Sequence, residues 1–600
     1  MSLNAYKPKA LIFLSGLCLV FSLSALSANP INDTASIFDQ IDALVSRDAI
    51  SFSEGWSGKA ALITGDRALP SFTVKERFPC GTGILLKLRK EWRNLPQNTK
   101  AEMLTRLTPP TLVGEQAHVT ADGNFRIHYT LHSGSLNAVS SEDRNGNNLP
   151  DVIDALEMSL IHCWSVEVLE MGWGTDEEER HTPLTGIFDV FVAGHTSAVN
   201  GYTFFKNMNK PFTGLDSLYM VIAPDVVEKE ELMQVTAAHL LSHALQFFYS
   251  KRLEVWWSEG VATWMESKVY DDIPRYRSFL NLSLRHPEKS LTADHGLAPF
   301  SSCLWAFFLS DRFGDRLILD IFKRYRIYSY ETVLNLTDRE LQEKWDSNII
   351  SAFREFTIWN FFTKREDDRK YYRQSAAWDW IQPSREHEIF PVETISGENP
   401  LGSFGAAYFR FLPDGSRGGI ILSLCSLEPA HIIGDIITVS NSHPQEFDVI
   451  PVGAGIKEGK LDIGIPWHNF SEIILVIQRV DQSYPEGVQL AYSAVYKPSI
   501  PVEFSAFVVN SNAGENTLIW TTEKENHNFG YLVYRSSETS EGFTAISTAV
   551  IPAIGDSSNQ TSYMYIDSDI EPGKKYHYFI RAFTLEGIHF DSYILSTTAR

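Results

Sequence analysis

Two histidines spaced four residues apart offer this chain's clearest chemistry. His239 and His243 lie in VTAAHLLSHALQFFY, residues 235–249, a long apolar run that predicts a buried helix. On a helix, residues i and i+4 share one face with Cβ atoms roughly 5–6 Å apart, so both imidazoles can reach one metal ion. The alternative is a pair of core histidines that are hydrogen-bonded inside the protein and bind no metal. The same spacing at His128 and His132 falls in a strand-like run and predicts structural residues.

A glutamate further along the chain completes a recognised ligand set. Glu259 lies in WWSEGVATWMESKVYDD, residues 256–272, which predicts a second helix. Two histidines from one helix and a glutamate from the next form the protein part of some catalytic zinc sites, whose fourth position takes water or substrate. The sequence therefore predicts a zinc site formed by His239, His243 and Glu259.

These two stretches, with SSCLWAFFLSDRFGD at 301–315, resemble a group of large secreted bacterial zinc metallopeptidases of the gluzincin type. In that family the corresponding motifs are similar to AHExxHxxQ and W-x-E-G-x-A-x-W-x-E. The resemblance covers about residues 120–365. It implies an α+β gluzincin-like (zincin) domain in which His239, His243 and Glu259 bind zinc and Glu266 is a supporting acid. It also implies a peptide-binding cleft, with the predicted strand SLYMVIAPD (217–225) at its edge.

Two positions depart from the family pattern. Leu240 stands where the family has the glutamate that takes a proton from the attacking water, and loss of such a base costs roughly 10²–10⁴-fold in rate. Phe300 stands where a tyrosine is expected to hydrogen-bond the oxyanion, and phenylalanine lacks the hydroxyl. We therefore predict an inactive or weakly active peptidase, a pseudoenzyme, which binds a peptide or protein in the former cleft.

Two further functional hypotheses stay open. An active zinc endopeptidase would need another acid in place of Leu240, and Glu254 and Glu266 are the nearby candidates. Alternatively, the chain is an adhesion or binding protein that works through its C-terminal β-domains, with the peptidase-like part as a spacer.

A second ion site is predicted in SSEDRNGNNLPDVIDALE, residues 140–157. Its oxygen-bearing residues follow positions 1, 3, 5, 7, 9 and 12 of a calcium loop that leads into a helix. The alternative is an Asn/Gly turn whose acids favour the first turn of the helix. Asn148 replaces the usual glycine and tolerates a left-handed backbone better than most residues. The predicted calcium ligands are Asp143, Asn145, Asn147, Leu149 through its backbone carbonyl, Asp151 and Asp154.

The N-terminus and the overall charge indicate the compartment and limit the partners. Residues 1–28 combine two lysines, a short apolar run and small residues, which is the layout of a secretory signal peptide. We therefore expect a secreted, periplasmic or cell-surface protein with no membrane span after signal removal. The net charge of −22 argues against nucleic acid as a partner. Cys80, Cys163, Cys303 and Cys425 show no CxxC spacing, so a cysteine zinc site is not expected and their pairing stays open.

With 600 residues, the chain is expected to form several domains. A helical stretch at 85–107 belongs to an N-terminal subdomain or prosegment, and residues 150–375 are mostly helical. After about residue 395, short alternating runs predict two all-β sandwiches. The last resembles a fibronectin type III domain with Trp520 at its centre. The predicted divisions are 29–115 for the N-terminal subdomain, 116–395 for the gluzincin-like domain, 396–499 for the first β-sandwich and 500–600 for the fibronectin type III-like domain.

Overall fold

The computed structural model shows a multidomain α+β protein that divides into two compact units. The first unit runs up to Ser283 and includes Thr292–Ile349, while the second comprises Leu284–Leu291 and Ile350–Arg600. The predicted signal peptide lies outside the described residues. The structure describes residues 36–65, 77–174, 185–208, 212–364, 371–396, 400–412, 419–426, 428–440, 447–451, 461–466, 470–483, 487–497, 502–537, 543–584 and 589–600.

A five-stranded sheet forms the base of the first unit, in the order β1-β2-β3-β5-β4. Strands β2, β3 and β5 run parallel, while β1 and β4 pair antiparallel at the two edges. The strands are β1 Glu115–Val119, β2 Phe125–Thr130, β3 Phe188–Val192, β4 Gly201–Phe205 and β5 Leu218–Ile222.

The sheet differs from the sequence-based expectations in two ways. The predicted edge strand, β5, lies inside the sheet between β3 and β4, so β4 is the strand at that edge. The region expected to be mostly helical also contains β3 and β4, which are buried along their whole length. A short strand buried on both faces shows no alternation of apolar and polar residues, and this is why the sequence pattern did not reveal these two.

Helices cover the sheet in the first unit. The helical stretch predicted at 85–107 is interrupted at Pro96, which has no backbone N–H and disfavours helical geometry at Leu95. A six-residue π-helical turn, Ser165–Glu170, extends α5. The helices are α1 Ile37–Ser46, α2 Phe52–Thr64, α3 Thr82–Glu91, α4 Gln97–Arg106, α5 Asp151–Trp164, α6 Pro224–Val227, α7 Glu230–Tyr249, α8 Val255–Val269, α9 Tyr276–Arg285, α10 Ala298–Ser301, α11 Cys303–Phe313, α12 Asp315–Ile327 and α13 Val333–Lys344.

After Leu284–Leu291, the second unit contains nearly all of helix α14, Ile349–Phe361, and continues as β-sheet. Strands β11-β10-β13-β8-β6 form one sheet, and strands β12, β9, β14 and β7 form the facing layer of a first apolar core. These strands are β6 Arg385–His387, β7 Val392–Ser396, β8 Ala406–Phe411, β9 Gly419–Ser426, β10 Ile432–Ser440, β11 Phe447–Pro451, β12 Leu461–Pro466, β13 Phe470–Arg479 and β14 Leu490–Lys497.

A second β-module completes this unit around Trp520. The side chain of Trp520 is buried and stacks on Tyr563, with ring centroids 5.4 Å apart. Tyr576, Tyr578 and Ile580 face the same core, as their alternation predicted. Its strands are β15 Val502–Asn512, β16 Glu515–Glu525, β17 Asn528–Ser536, β18 Thr544–Ala545, β19 Ile551–Pro552, β20 Thr561–Asp567, β21 Lys575–Thr584, β22 His589–Asp591 and β23 Leu595–Thr598.

The domain boundaries at 115, 395 and 499 stay predictions, since the compact units divide near residue 350. Among the described residues, none of the helices combines the length and apolar content that crossing a membrane requires.

Candidate metal centre

Helices α7 and α8 hold the predicted ligands at the centre of the first unit. From Val235 to Tyr249 every residue of α7 is buried, so both of its histidines lie inside the protein. Gly260 lets α8 pack closely, because a Cβ at this position would lie 2.2 Å from Ser302 Oγ. This contact packs α8 against the Ser302–Cys303 backbone, while the neighbouring Glu259 faces His239 of α7.

The three predicted zinc ligands converge on one point. His239 Nε2 and His243 Nε2 are 3.2 Å apart. Glu259 Oε2 lies 3.1 Å from His239 Nε2 and 3.4 Å from His243 Nε2. All three side chains are buried. The geometry expected from the sequence is therefore present, and the i, i+4 spacing on α7 produces it.

Neighbouring side chains lie within hydrogen-bond distance of the Nδ1 atom of each imidazole and hold both rings in place. His239 Nδ1 lies 2.8 Å from Glu266 Oε1, a carboxylate that can only accept from an N–H. His243 Nδ1 lies 3.3 Å from Gln246 Oε1 and 3.2 Å from Ser258 Oγ. The Gln246 amide nitrogen donates to Ser258 O at 3.0 Å, which fixes Oε1 as the acceptor toward His243.

These contacts determine where the ring protons lie. In its neutral form each imidazole would carry its proton on Nδ1, and the two Nε2 atoms face the Glu259 carboxylate and each other. Metal ligands must be deprotonated, so a cation placed among these atoms would take the place of the protons that otherwise lie between them. Histidines that bind metal through Nε2 are commonly held by such Nδ1 partners.

Cys80 is the fourth member of the cluster, and the sequence reasoning missed it. The Cys80, His239, His243 and Glu259 ligand atoms all lie within 4.8 Å of one another, and all four residues are buried. The absence of CxxC spacing gave no reason to expect a cysteine here, because this thiol comes from a distant segment of the chain. The only local signal was the pair of glycines, Gly81 and Gly83, that follow the cysteine.

The electrostatics of the cluster favour positive charge at its centre. Burial lowers the pKa of His243, but the Glu259 carboxylate and the Cys80 thiol outweigh burial and raise that pKa to about 9. Burial raises the pKa of Glu259, yet the two histidines beside it lower the pKa to about 2. Burial and Glu259 raise the pKa of the Cys80 thiol, but the two histidines lower it by more, so the net effect is a lowered pKa.

The residues present fit a zinc ion. Glu259 Oε1 is buried and has no hydrogen-bond partner among the described residues, although it belongs to a charged carboxylate. In a tetrahedral site with bonds of about 2.0–2.1 Å, neighbouring nitrogen and oxygen ligands lie about 3.3–3.4 Å apart, close to the separations found here. A thiol, two imidazoles and one carboxylate suit zinc better than calcium or magnesium, which prefer oxygen ligands.

Leu240 and Phe300 occupy the positions at which the resemblance expects catalytic groups. Leu240 is buried, and a Cβ on Gly201 of β4 would lie 2.6 Å from Leu240 Cδ1. Phe300 lies beside the centre with its ring roughly parallel to that of His239, at a centroid distance of 5.9 Å. Neither side chain can accept, donate or transfer a proton.

The acids considered as replacements for a general base are already engaged. Glu254 accepts from Trp256 Nε1 at 2.8 Å and from Val333 N at 2.7 Å, at the start of α8. Glu266 is the partner of His239. Glu167, in the π-helical turn, is a further buried acid, and burial raises its pKa well above the usual range.

Neutralising Glu266 should weaken metal binding. The Glu266→Gln variant keeps the size of the side chain but removes the charge that holds His239 Nδ1–H, and loss of such an outer partner typically costs 10–100-fold in metal affinity. Competition with a chromophoric chelator measures this change. The control is Glu343→Gln on α13, which alters an exposed acid paired with Arg324. Equal affinities for the two variants would show that Glu266 only packs against α7.

The predicted calcium loop forms a turn before α5. Asn148 adopts the left-handed conformation that its replacement of glycine requires, with φ of 67°. Asp143 accepts from the backbone nitrogens of Gly146 and Asn148 at 2.7 and 2.9 Å. Asn145 and Asn147 direct their amide nitrogens at Asp154. Calcium binding by Asp143, Asn145, Asn147, Leu149, Asp151 and Asp154 stays a prediction.

Calcium should bind this loop with an affinity typical of extracellular modules, roughly 10⁻⁴–10⁻³ M, because position 12 is the short Asp154. Titration calorimetry of the purified chain measures the binding heat, and Asp143→Ala should abolish it. Asp122→Asn, in a neighbouring turn closed by Asn124, should leave it unchanged. If the native chain gives no binding heat at millimolar calcium, the loop is only a structural turn that precedes the helix.

Cys80, Cys163 and Cys303 are free and buried, so none of them is paired. The side chain of Cys425 lies outside the described residues.

No protein-family model matches the chain, and no curated protein matches it. Among solved structures it is similar to an Fn3-like protein from Clostridium thermocellum, with 20% identity over 17% of this chain and 96% of that one and a TM-score of 0.13. The FN1–FN3 domains of chicken CNTN1 give 12% identity over 37% and 70% of the two chains, with a TM-score of 0.14. A β-1,2-glucanase from Parabacteroides distasonis is 14% identical over 32% of this chain and 30% of the glucanase, with a TM-score of 0.13. TM-scores this low assign no shared fold.

Proposed function

We propose that this chain is an exported zinc-binding homologue of gluzincin metallopeptidases that does not hydrolyse peptides efficiently. His239, His243 and Glu259 hold the ion, and Glu266 and Ser258 orient the two imidazoles. When bound, zinc would supply a Lewis acid in the former cleft. The observation that carries the proposal is the convergence, in a buried site, of two imidazole Nε2 atoms and a carboxylate with one oxygen that has no hydrogen-bond partner among the described residues.

The low activity follows from the side chains around the centre. A peptidase needs a group that takes a proton from the attacking water and returns it to the leaving amine. Leu240 has no such group, and Glu254 and Glu266 are held by other partners. Phe300 offers no hydrogen bond to a developing oxyanion. The cleft therefore binds a peptide or protein without cleaving it efficiently.

Metal content tests the proposal directly. The purified chain should contain about one zinc per molecule by plasma mass spectrometry, and His239→Ala should contain none. The same samples should show no chelator-sensitive cleavage of an unstructured protein. A metal-free native chain would identify the histidines as core residues, and chelator-sensitive cleavage would support an active peptidase instead.

A second candidate function is adhesion through the C-terminal module, which we propose is fibronectin type III-like. An apolar stripe follows the outer face of its three-stranded sheet, where Val508 and Met564 flank Ile519 in register. Val508 is 46% exposed and Met564 is 61% exposed. Contiguous exposed apolar side chains commonly mark interaction surfaces.

Substitutions in the stripe test this second function without removing a domain. Val508→Glu together with Met564→Glu should weaken adsorption of the whole chain to cells or polysaccharide, while leaving its zinc content unchanged. Undiminished adsorption would remove the adhesion hypothesis.

A further inference from the structure

Residues 77–83, which we term the plug segment, lie along the edge of the sheet beside the metal centre. Phe78 N donates to Ala198 O at 2.8 Å. Gly81 N donates to Gly201 O at 2.9 Å. The segment runs parallel to the chain that leads into β4. It therefore extends the edge of the sheet through backbone hydrogen bonds, as an added peptide strand does in β-augmentation.

Side chains fix both ends of the plug segment. Arg77 forms a two-pronged contact with Asp225 at 2.6 and 3.1 Å, and it also donates to His195 O at 2.6 Å. At the other end, Thr82 Oγ1 accepts from Thr203 N at 3.0 Å. These contacts hold the intervening residues in one register along β4.

Between these anchors the plug segment lies against the metal centre. A Cβ at Gly83 would lie 2.7 Å from Glu259 Oε1, so only glycine allows this approach. The Phe78 ring meets the Phe300 ring edge-on, with centroids 5.4 Å apart. Thr82 N, at the start of α3, donates to Cys80 Sγ at 3.3 Å. A helix N-terminus and an N–H donor both stabilise a thiolate.

We propose that the plug segment is a built-in occupant of the former substrate cleft, held there because Cys80 is the fourth ligand of the metal. This inference rests on the proposed zinc-binding function and explains what fills the cleft. Four protein ligands give the closed coordination of structural zinc sites, whereas catalytic sites keep one position open. A peptide ligand must therefore displace residues 77–83 before it reaches the ion.

Metal binding and docking of the plug segment are reciprocally linked. An ion that binds more tightly when Cys80 is present favours the docked segment by the same free energy. The ion thus fixes an N-terminal segment onto the two helices that carry His239 and Glu259. Arg77, Gly81 and Gly83 serve this docking and are not members of the ligand cluster.

Cobalt(II) substitution tests the role of Cys80. Cobalt-loaded protein should show the intense charge-transfer absorption of a cobalt–thiolate bond. Cys80→Ser should lose this band and bind cobalt more weakly by more than the roughly 10–100-fold that loss of a mere outer partner costs, because a direct ligand is removed. The control Cys163→Ser, a buried cysteine outside the cluster, should keep both the band and the affinity.

Hydrogen exchange tests the docking. The amides of Phe78 and Gly81 should exchange at least tenfold faster after the metal is removed, while amides of β5 keep their rates. Cobalt-loaded native protein without a thiolate band, or unchanged exchange at the two amides, would overturn the inference and leave the proposed function intact. A chain that takes up no metal would overturn the proposed function and the inference together.

Discussion

Zinc added to the metal-free chain should raise the unfolding midpoint of the first unit by about 5–10 °C. A ligand that binds only the folded state at 1,000 times its Kd contributes about 4 kcal/mol. For domains of this size, each kcal/mol shifts the midpoint by roughly 2 °C or slightly more. The shift is expected to be substantial because the centre buries two imidazoles, a thiol and a carboxylate oxygen that has no partner among the described residues.

The His239→Ala variant should lose the zinc-dependent shift completely. His132→Ala is the matched control, because His132 belongs to the other pair of histidines four residues apart and lies on no metal cluster among the described residues. Differential scanning calorimetry with and without zinc measures all three proteins. Equal shifts in the native chain and in His239→Ala would place the bound zinc elsewhere and refute the assigned centre.

Restoring hydrolysis should require two substitutions. Leu240→Glu alone is expected to stay at background, because Cys80 still fills the position that the attacking water needs. Leu240→Glu combined with Cys80→Ser should raise cleavage of an unstructured protein by about 10²–10⁴-fold, the usual contribution of a general base. A fluorogenic casein assay, run with and without chelator, measures the gain.

The control for this experiment replaces the introduced glutamate with glutamine, which has a similar shape but cannot act as a base. Leu240→Gln with Cys80→Ser should remain at background, and zinc content reports whether each variant retains its centre. Activity in Leu240→Glu alone would mean that Cys80 leaves the fourth position open. A zinc-loaded but inactive double variant would mean that the missing base does not explain the lost activity, and Phe300→Tyr would then be the next substitution.

Local rules predicted the part of the centre that local geometry creates. The spacing of His239 and His243 places them on one helix face, and Glu259 follows on the next helix. Asn148 likewise adopts the left-handed backbone that its position in the turn predicts. Each of these features depends on a few residues that are close in the chain.

Features that depend on contacts between distant parts of the chain could not be predicted from local sequence patterns. Cys80 reaches the centre only because its segment pairs with the edge of the sheet, and no spacing in the sequence encodes that pairing. The edge strand β4 itself was missed because it is buried on both faces and shows no alternation. Long-range pairing therefore hid Cys80, and burial on both faces hid the strand.

The long separation in sequence between Cys80 and the other cluster residues has a consequence for biosynthesis and quality control. Contacts between distant parts of a chain form only after the intervening elements have folded, because closing such a loop carries an entropic cost. A nascent or truncated chain that ends before Glu259 therefore carries an unprotected thiol. Metal uptake by all four residues then reports that the first unit has been completed, and the reactivity of Cys80 toward alkylating reagents measures the fraction of chains that have not reached that state.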